Sequence, residues 1–150
     1  MATVKWGNKI SKPVKLTAGC RQGGILSPYL FTIYVDSVLN RLAISGYGCH
    51  VKGVCFNSIM YADDLIILAI SMQHIRHLVD ICIEEFKIIN MDININKSAF
   101  MRIGDRHGAD VNAILVNNFS LRSVQEMKYL EIVICSGRRF TFNFQNIKHK

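Results

Sequence analysis

Long apolar runs are missing from this chain of 150 residues. None approaches the roughly 18 residues that a membrane-spanning helix requires, and Met1-Ala2-Thr3-Val4-Lys5-Trp6 lacks the apolar stretch of a secretory signal. These absences predict a soluble intracellular protein, nuclear or cytoplasmic, with no membrane partner. Cys-x-x-Cys pairs are missing too. The five cysteines, Cys20, Cys49, Cys55, Cys82 and Cys135, are scattered and odd in number, which speaks against a disulfide framework and for reduced, mostly buried thiols. No repeat, low-complexity tract or Pro/Ser-rich linker divides the sequence, so residues 1–150 read as one unit. Acidic residues are absent from the first 35 positions, where Lys5, Lys9, Lys12, Lys15 and Arg21 stand unopposed.

Half of the residues are apolar and 19% are charged, the balance of a globular domain rather than a disordered chain. The net charge is +7, and a second basic group, Arg138, Arg139, Lys148 and Lys150, closes the sequence. Such patches suit a polyanion through phosphate contacts and counterion release. On charge alone, a solvated basic surface without a ligand is an equal alternative.

The order of elements follows from periodicity and breakers. Val4 and Trp6, a Gly7-Asn8 turn, then Val14 and Leu16 describe a hairpin over residues 3–18. Ser27-Pro28 supplies an N-cap and a proline at the first helical position. Leu30, Phe31, Tyr34, Val35, Val38 and Leu42 then recur at helical spacing, predicting a helix over about residues 28–43. Residues 51–61 and 65–70, rich in Val, Ile and aromatics, read as strands joined at Ala62-Asp63-Asp64. Ile75, Leu78, Val79, Cys82, Ile83 and Phe86 predict an amphipathic helix over residues 72–89. Short strands near 99–103, 111–116 and 129–134 complete an α+β fold, with helices packed on one face of an antiparallel sheet.

An Asp-Asp pair is a weak signal by itself, since average composition gives about 0.6 such pairs in a chain of this length. Placement makes it informative. Neighbouring side chains of a straight strand point to opposite faces, whereas at a tight turn two carboxylates can serve one ligand. Between apolar strands, two ionised carboxylates call for a cation, and magnesium or manganese prefer such oxygen donors. The competing reading is a solvated turn that uses Asp only as a turn former. Two-metal phosphoryl transfer ordinarily needs a third carboxylate. The acid-free first 35 residues supply none, and Asp36 reads as a solvated helix residue.

At this point a resemblance emerges. Gly19-Cys20-Arg21-Gln22-Gly23-Gly24-Ile25-Leu26-Ser27-Pro28 with Phe31, then Tyr61-Ala62-Asp63-Asp64, then Ile93-Asn94 with Lys97-Ser98, then Lys128-Tyr129-Leu130 resemble consecutive blocks of a reverse transcriptase palm. Val4-Lys5-Trp6-Gly7-Asn8 adds a segment similar to one found in non-LTR retrotransposons. The likeness covers about residues 4–135, with the palm core over about 15–135. Four ordered blocks are specific where any one is weak.

The resemblance implies an RNA-directed DNA polymerase, with a palm-like antiparallel sheet that lacks fingers and thumb. It implies magnesium or manganese as cofactor, and RNA template, DNA primer and deoxynucleotides as partners. Asp63 and Asp64 would be the catalytic metal ligands. Arg21, Gln22, Gly23, Gly24 and Tyr61 would shape the nucleotide pocket, glycine allowing close backbone approach. Lys97 would stand beside the leaving pyrophosphate, where an ammonium neutralises charge or donates a proton.

Two departures from the family pattern accompany these expectations. The family's other metal aspartate lies on a strand before the Gln22 block, and the chain begins too late to include it, so the isolated chain is expected to be inactive. The primer-gripping turn usually reads Tyr-Leu-Gly, and here it is Tyr129-Leu130-Glu131; a positive φ there would penalise Glu131. Degeneration of a mobile-element copy would account for both, and the alternative is a non-catalytic remnant that binds nucleic acid electrostatically. Cys49-His50 with Cys55, and His74 with His77, show no four-ligand zinc spacing. Trp6 and Tyr47 are the aromatic candidates for facing nucleic acid.

Overall fold

A computed structural model describes residues 1–15, 19, 23–109 and 113–143. In chain order the elements are β1 (Lys5–Trp6), β2 (Lys9–Ile10), α1 (Ser27–Ile44), β3 (Cys49–Val51), β4 (Val54–Phe56), β5 (Ser58–Tyr61), β6 (Asp64–Ile67), α2 (Met72–Ile88), β7 (Ala99–Phe100), β8 (Leu115–Val116), β9 (Phe119–Ser120), β10 (Arg122–Ser123), β11 (Glu126–Tyr129), β12 (Ile132–Cys135) and β13 (Thr141–Asn143).

Helix α2 forms where the apolar spacing predicts it, and both ends are specified locally. Ser71 is extended and its hydroxyl accepts the His74 N–H at 3.2 Å, an N-cap. At the other end Asn90 adopts φ +53. The Asn90 N–H then returns to the Lys87 carbonyl and the Met91 N–H to the Phe86 carbonyl, the paired bonds of a Schellman stop. Leu78, Val79, Cys82 and Phe86 are buried along the helix.

Helix α1 starts one residue earlier than predicted. Ser27 is already helical, because its N–H donates to the Gly24 carbonyl and continues the preceding turn. The N-cap is therefore Leu26, with no side-chain cap bond. Only Val35, Val38 and Leu42 of its predicted face are buried; Leu30 and Tyr34 are exposed and Phe31 is half-buried.

The two helices pack through Val38, Leu42, Leu78, Cys82 and Phe86, and a second cluster joins Val79 of α2 to Ile114 and Val116. Tyr34 Oη donates to the Ile89 carbonyl at 2.6 Å, and Arg41 meets Glu85 at 3.2 Å, closing the helix pair at its rim. Of the four described cysteines only Cys82 is fully buried, so the thiols are less buried than the sequence predicts. No described helix is long and apolar enough to cross a membrane.

The strands fall into six small sheets among the described residues, five antiparallel and one, β7 with β10, parallel. The α+β mixture is observed, but as separate ribbons beside the helix pair rather than one continuous antiparallel layer. Two predicted strands are broken by turns. Residues 51–61 split because Lys52 and Gly53 both take positive φ and fold β3 against β4. Residues 129–134 split because Leu130 and Glu131 do the same between β11 and β12. The strand near 99–103 shortens to Ala99–Phe100, and of that near 111–116 only Leu115–Val116 is strand among the described residues. The N-terminal hairpin keeps its Gly7-Asn8 turn, and Ala2 pairs with Val14 beyond it.

Candidate functional site

The β5–β6 hairpin carries the Asp-Asp pair. Tyr61 pairs with Asp64, Met60 with Leu65, Ile59 with Ile66 and Ser58 with Ile67, leaving Ala62 and Asp63 as a two-residue turn. Strand alternation then divides the hairpin into two faces. Leu65 and Ile67 pack into the helix core, so Tyr61 and Asp64, with Ile59 and Ile66, share the opposite face. Asp63 belongs to the turn and not to the ladder, so pleat alternation does not set the two carboxylates on opposite faces. Both are exposed, as is Tyr61 at 63%. Ala62 holds the turn at φ +51, a conformation that costs a non-glycine residue on the order of 1–2 kcal/mol.

A buried amide fixes this hairpin against α1. Asn57, 4% exposed, donates from Nδ2 to the Leu42 carbonyl at 2.5 Å and the Tyr47 carbonyl at 3.0 Å. It thereby supplies a partner for a carbonyl at the end of α1. Its Oδ1 accepts from Ser58 Oγ at 3.1 Å. Gly48 makes room for it: a Cβ there would lie 2.6 Å from Asn57 Cβ, and φ is +143. Sequence reasoning missed Asn57, although a lone amide inside Val54-Cys55-Phe56-Asn57-Ser58-Ile59 was the available signal.

The other expected site residues are dispersed over loops. Arg21 and Gln22 lie outside the described residues. Gly23 is exposed at φ +74 with open space where a Cβ would stand, so its backbone conformation, and not crowding, is what favours glycine. Gly24 is half-buried before α1. Lys97 is exposed on a turn in which its N–H meets the Asn94 carbonyl and Asn94 Oδ1, both at 3.2 Å.

In the β11–β12 turn, Leu130 and Glu131 have φ +46 and +67. The left-handed condition under which Glu131 carries a penalty is therefore met. Glu131 also pairs with Lys128 at 2.8 Å, and the Tyr129 hydroxyl is buried with no hydrogen-bond partner among the described residues. Tyr47 is not free to take a base, because it is half-buried, stacked on His77 at 4.6 Å and edge-on to His74 at 5.1 Å.

Among the described residues no three His, Cys, Asp or Glu side chains gather to hold a metal ion. The two carboxylates at the β5–β6 tip are an incomplete donor set, which by itself does not fit a resident divalent ion. Two open depressions of the surface, one lined by Phe86 and Met91 and the other by Arg102 and Ser136, include no residue of this tip.

Comparison with known proteins supplies the context of this geometry. Residues 3–134 match the family described as reverse transcriptase (RNA-dependent DNA polymerase). The chain is 27% identical over 146 residues to the retrovirus-related Pol polyprotein of a type-2 retrotransposable element from Drosophila melanogaster, with 92% of this chain and 13% of that protein covered. It thus spans about an eighth of that relative's length. The match runs across the glycine block, the Asp63-Asp64 hairpin, the Lys97 turn and the Leu130-Glu131 turn together, and the chain belongs to the reverse transcriptase family.

Proposed function

We propose that this chain is the palm portion of an RNA-directed DNA polymerase of a non-LTR retrotransposon, and that alone it does not polymerise. The observation that carries the reading is the tip of β5–β6, where Asp63 and Asp64 stand on a two-residue turn inside a segment matched by the family. Reverse transcriptases generally use divalent metal ions. In this reading Asp63 and Asp64 are two of the carboxylates of such a site, and a third comes from polypeptide outside these residues. Magnesium or manganese would then supply charge neutralisation at the reacting phosphates.

The chain's own groups bind and orient. Gly23 and Gly24, with Arg21 and Gln22, form the wall against the incoming deoxynucleotide. Tyr61, on the same face as Asp64, braces the primer end. Lys97 faces the departing pyrophosphate, where a cation offsets growing negative charge. Tyr129, Leu130 and Glu131 form the turn nearest the primer backbone.

Template-primed incorporation of deoxynucleotides tests the reading. The purified chain should show none. The chain joined to an upstream segment bearing an aromatic-x-Asp strand should incorporate, and Asp63→Asn should abolish that. Incorporation by the isolated chain, or activity of the joined protein that survives Asp63→Asn, would overturn the proposal. The second reading, a non-catalytic remnant, is favoured by one observation, the acidic Glu131 at φ +67 in the turn expected to meet primer phosphate.

A further inference from the structure

The β1–β2 ribbon has a construction of its own. Lys5 pairs with Ile10 and Trp6 with Lys9. The Ser11 N–H donates to the Val4 carbonyl at 2.9 Å, and the Val4 N–H donates to Ser11 Oγ at 2.9 Å. Ala2 and Val14 then exchange both backbone bonds at 2.8 Å. From Trp6/Lys9 through Val4/Ser11 the register is constant. Beyond that it gains one residue at Lys12-Pro13, where proline has no N–H to donate, so the ribbon bulges.

This tightly bonded ribbon buries none of its large side chains. Trp6 is 86% exposed, Val4 69% and Ile10 65%, and none of them belongs to either core cluster. A two-stranded ribbon is marginal in water without something to pack against. Residues directly paired across strands share a face. Trp6 therefore stands beside Lys9, with Val4 two positions behind on the same face. Lys5, which pairs with Ile10, and Lys12, next after Ser11, fall on the other face of the ribbon, and no Asp or Glu precedes Asp36 in the sequence.

An exposed indole with an ammonium group across the ribbon, in a segment without acidic residues, is complementary to an unpaired base with its phosphates. The ring supplies a stacking platform and the lysine supplies counter-charge. A duplex hides its base faces and offers the ring nothing to stack on. An acidic peptide would satisfy the lysine and leave the indole unused.

We propose that the β1–β2 ribbon binds single-stranded RNA, with one base stacked on Trp6, and Lys9 against a flanking phosphate. The choice of RNA over DNA rests on the polymerase reading above; the stacking surface does not.

Trp6 is the only tryptophan of the chain, so its emission reports this surface directly. The experiment titrates the full chain with an unstructured single-stranded RNA 20-mer, following Trp6 emission and, in parallel, retention on filters. Saturable quenching is expected. Trp6→Ala should weaken retention by about tenfold, the size of one lost base–aromatic stack. Trp6→Phe should restore most of it. Lys9→Glu should weaken binding and flatten the salt dependence by about 0.7 in log–log slope.

Unchanged retention in Trp6→Ala, or an emission that stays constant while RNA saturates the chain, overturns the stacking assignment. Binding to a blunt RNA duplex or to a DNA strand of equal length as tight as to the RNA overturns the choice of ligand. Should circular dichroism show Trp6→Ala to be unfolded, Trp6→Phe and the lysine variant decide. The titration contains no primer and no deoxynucleotide, so its outcome is independent of whether the chain polymerises.

Discussion

Asn117-Asn118 and Leu130-Glu131 make the same backbone turn with opposite chemistry. Both place two successive residues at positive φ, at +48 and +69 in the first and +46 and +67 in the second, the requirement of a type I′ hairpin. Asparagine tolerates that region because its short amide bonds locally, whereas leucine and glutamate pay for a crowded Cβ. The contrast recurs at the other two-residue turns. Gly7 opens one and Gly53 closes another, but Ala62 takes φ +51 in the turn that carries the Asp-Asp pair. Residues other than glycine and asparagine thus stand at positive φ in three of the five two-residue turns, at Lys52, at Ala62 and at Leu130-Glu131.

The comparison needs a scale, and the core provides it. Leu78→Ala removes a fully buried side chain from the α1–α2 cluster and should cost about 2–5 kcal/mol in urea unfolding. If that truncation costs less than the turn substitutions do, the ribbons and not the helix pair hold the structure. Replacing Leu130 and Glu131 together by Asn and Gly should stabilise the chain by roughly 2 kcal/mol, and placing Leu and Glu at 117 and 118 should destabilise it by a similar amount. Equal stabilities for both exchanges would erase the distinction between the turns.

A pH titration separates core from turns in another way. Burial pushes the Cys82 thiol from its ordinary 9.0 up to about 12. The folded state therefore holds a proton that the unfolded chain releases, and stability is full below pH 9, then falls as pH rises from about 9 towards 12. The slope should be at most about 1.4 kcal/mol per pH unit. Cys49 is shifted the same way, by burial and the nearby Cys55 thiolate, so Cys82→Ala should leave only a shallow remainder. A slope unchanged in that variant would place the buried proton elsewhere. The smallest effect belongs to the turn's own ion pair: Lys128 and Glu131 are 58% and 74% exposed, and Lys128→Ala should change stability by less than about 0.5 kcal/mol.

The sequence made α2 legible because its apolar stripe faces this chain's own core. It misled for α1, where Leu30 and Tyr34 belong to the same spacing as Val35, Val38 and Leu42 yet remain exposed. A hydrophobic period records that a face is covered, not by what. The breaks at Lys52-Gly53 and Leu130-Glu131 were hidden for different reasons. The first has a glycine that the surrounding β-formers outweighed, and the second has no turn former at all. At the site, the hairpin of Tyr61 and Asp64 was readable from two apolar runs around a polar tip. The Asn57 bond that anchors it crosses from strand to helix end, a pairing that spacing along one strand does not encode.

The Ala62-Asp63 turn has a further consequence, at the level of the gene. With only two residues between Tyr61 and Asp64, the ladder from Ser58 to Ile67 is counted rather than searched. One codon gained or lost between positions 61 and 64 slips the register, turning Leu65 and Ile67 out of the core and Asp64 off the face it shares with Tyr61. Substitutions at the tip alter one side chain, but an in-frame insertion alters all of them at once. Among diverging copies of this sequence, the spacing of codons 61 to 64 should outlast the identity of the residues they encode.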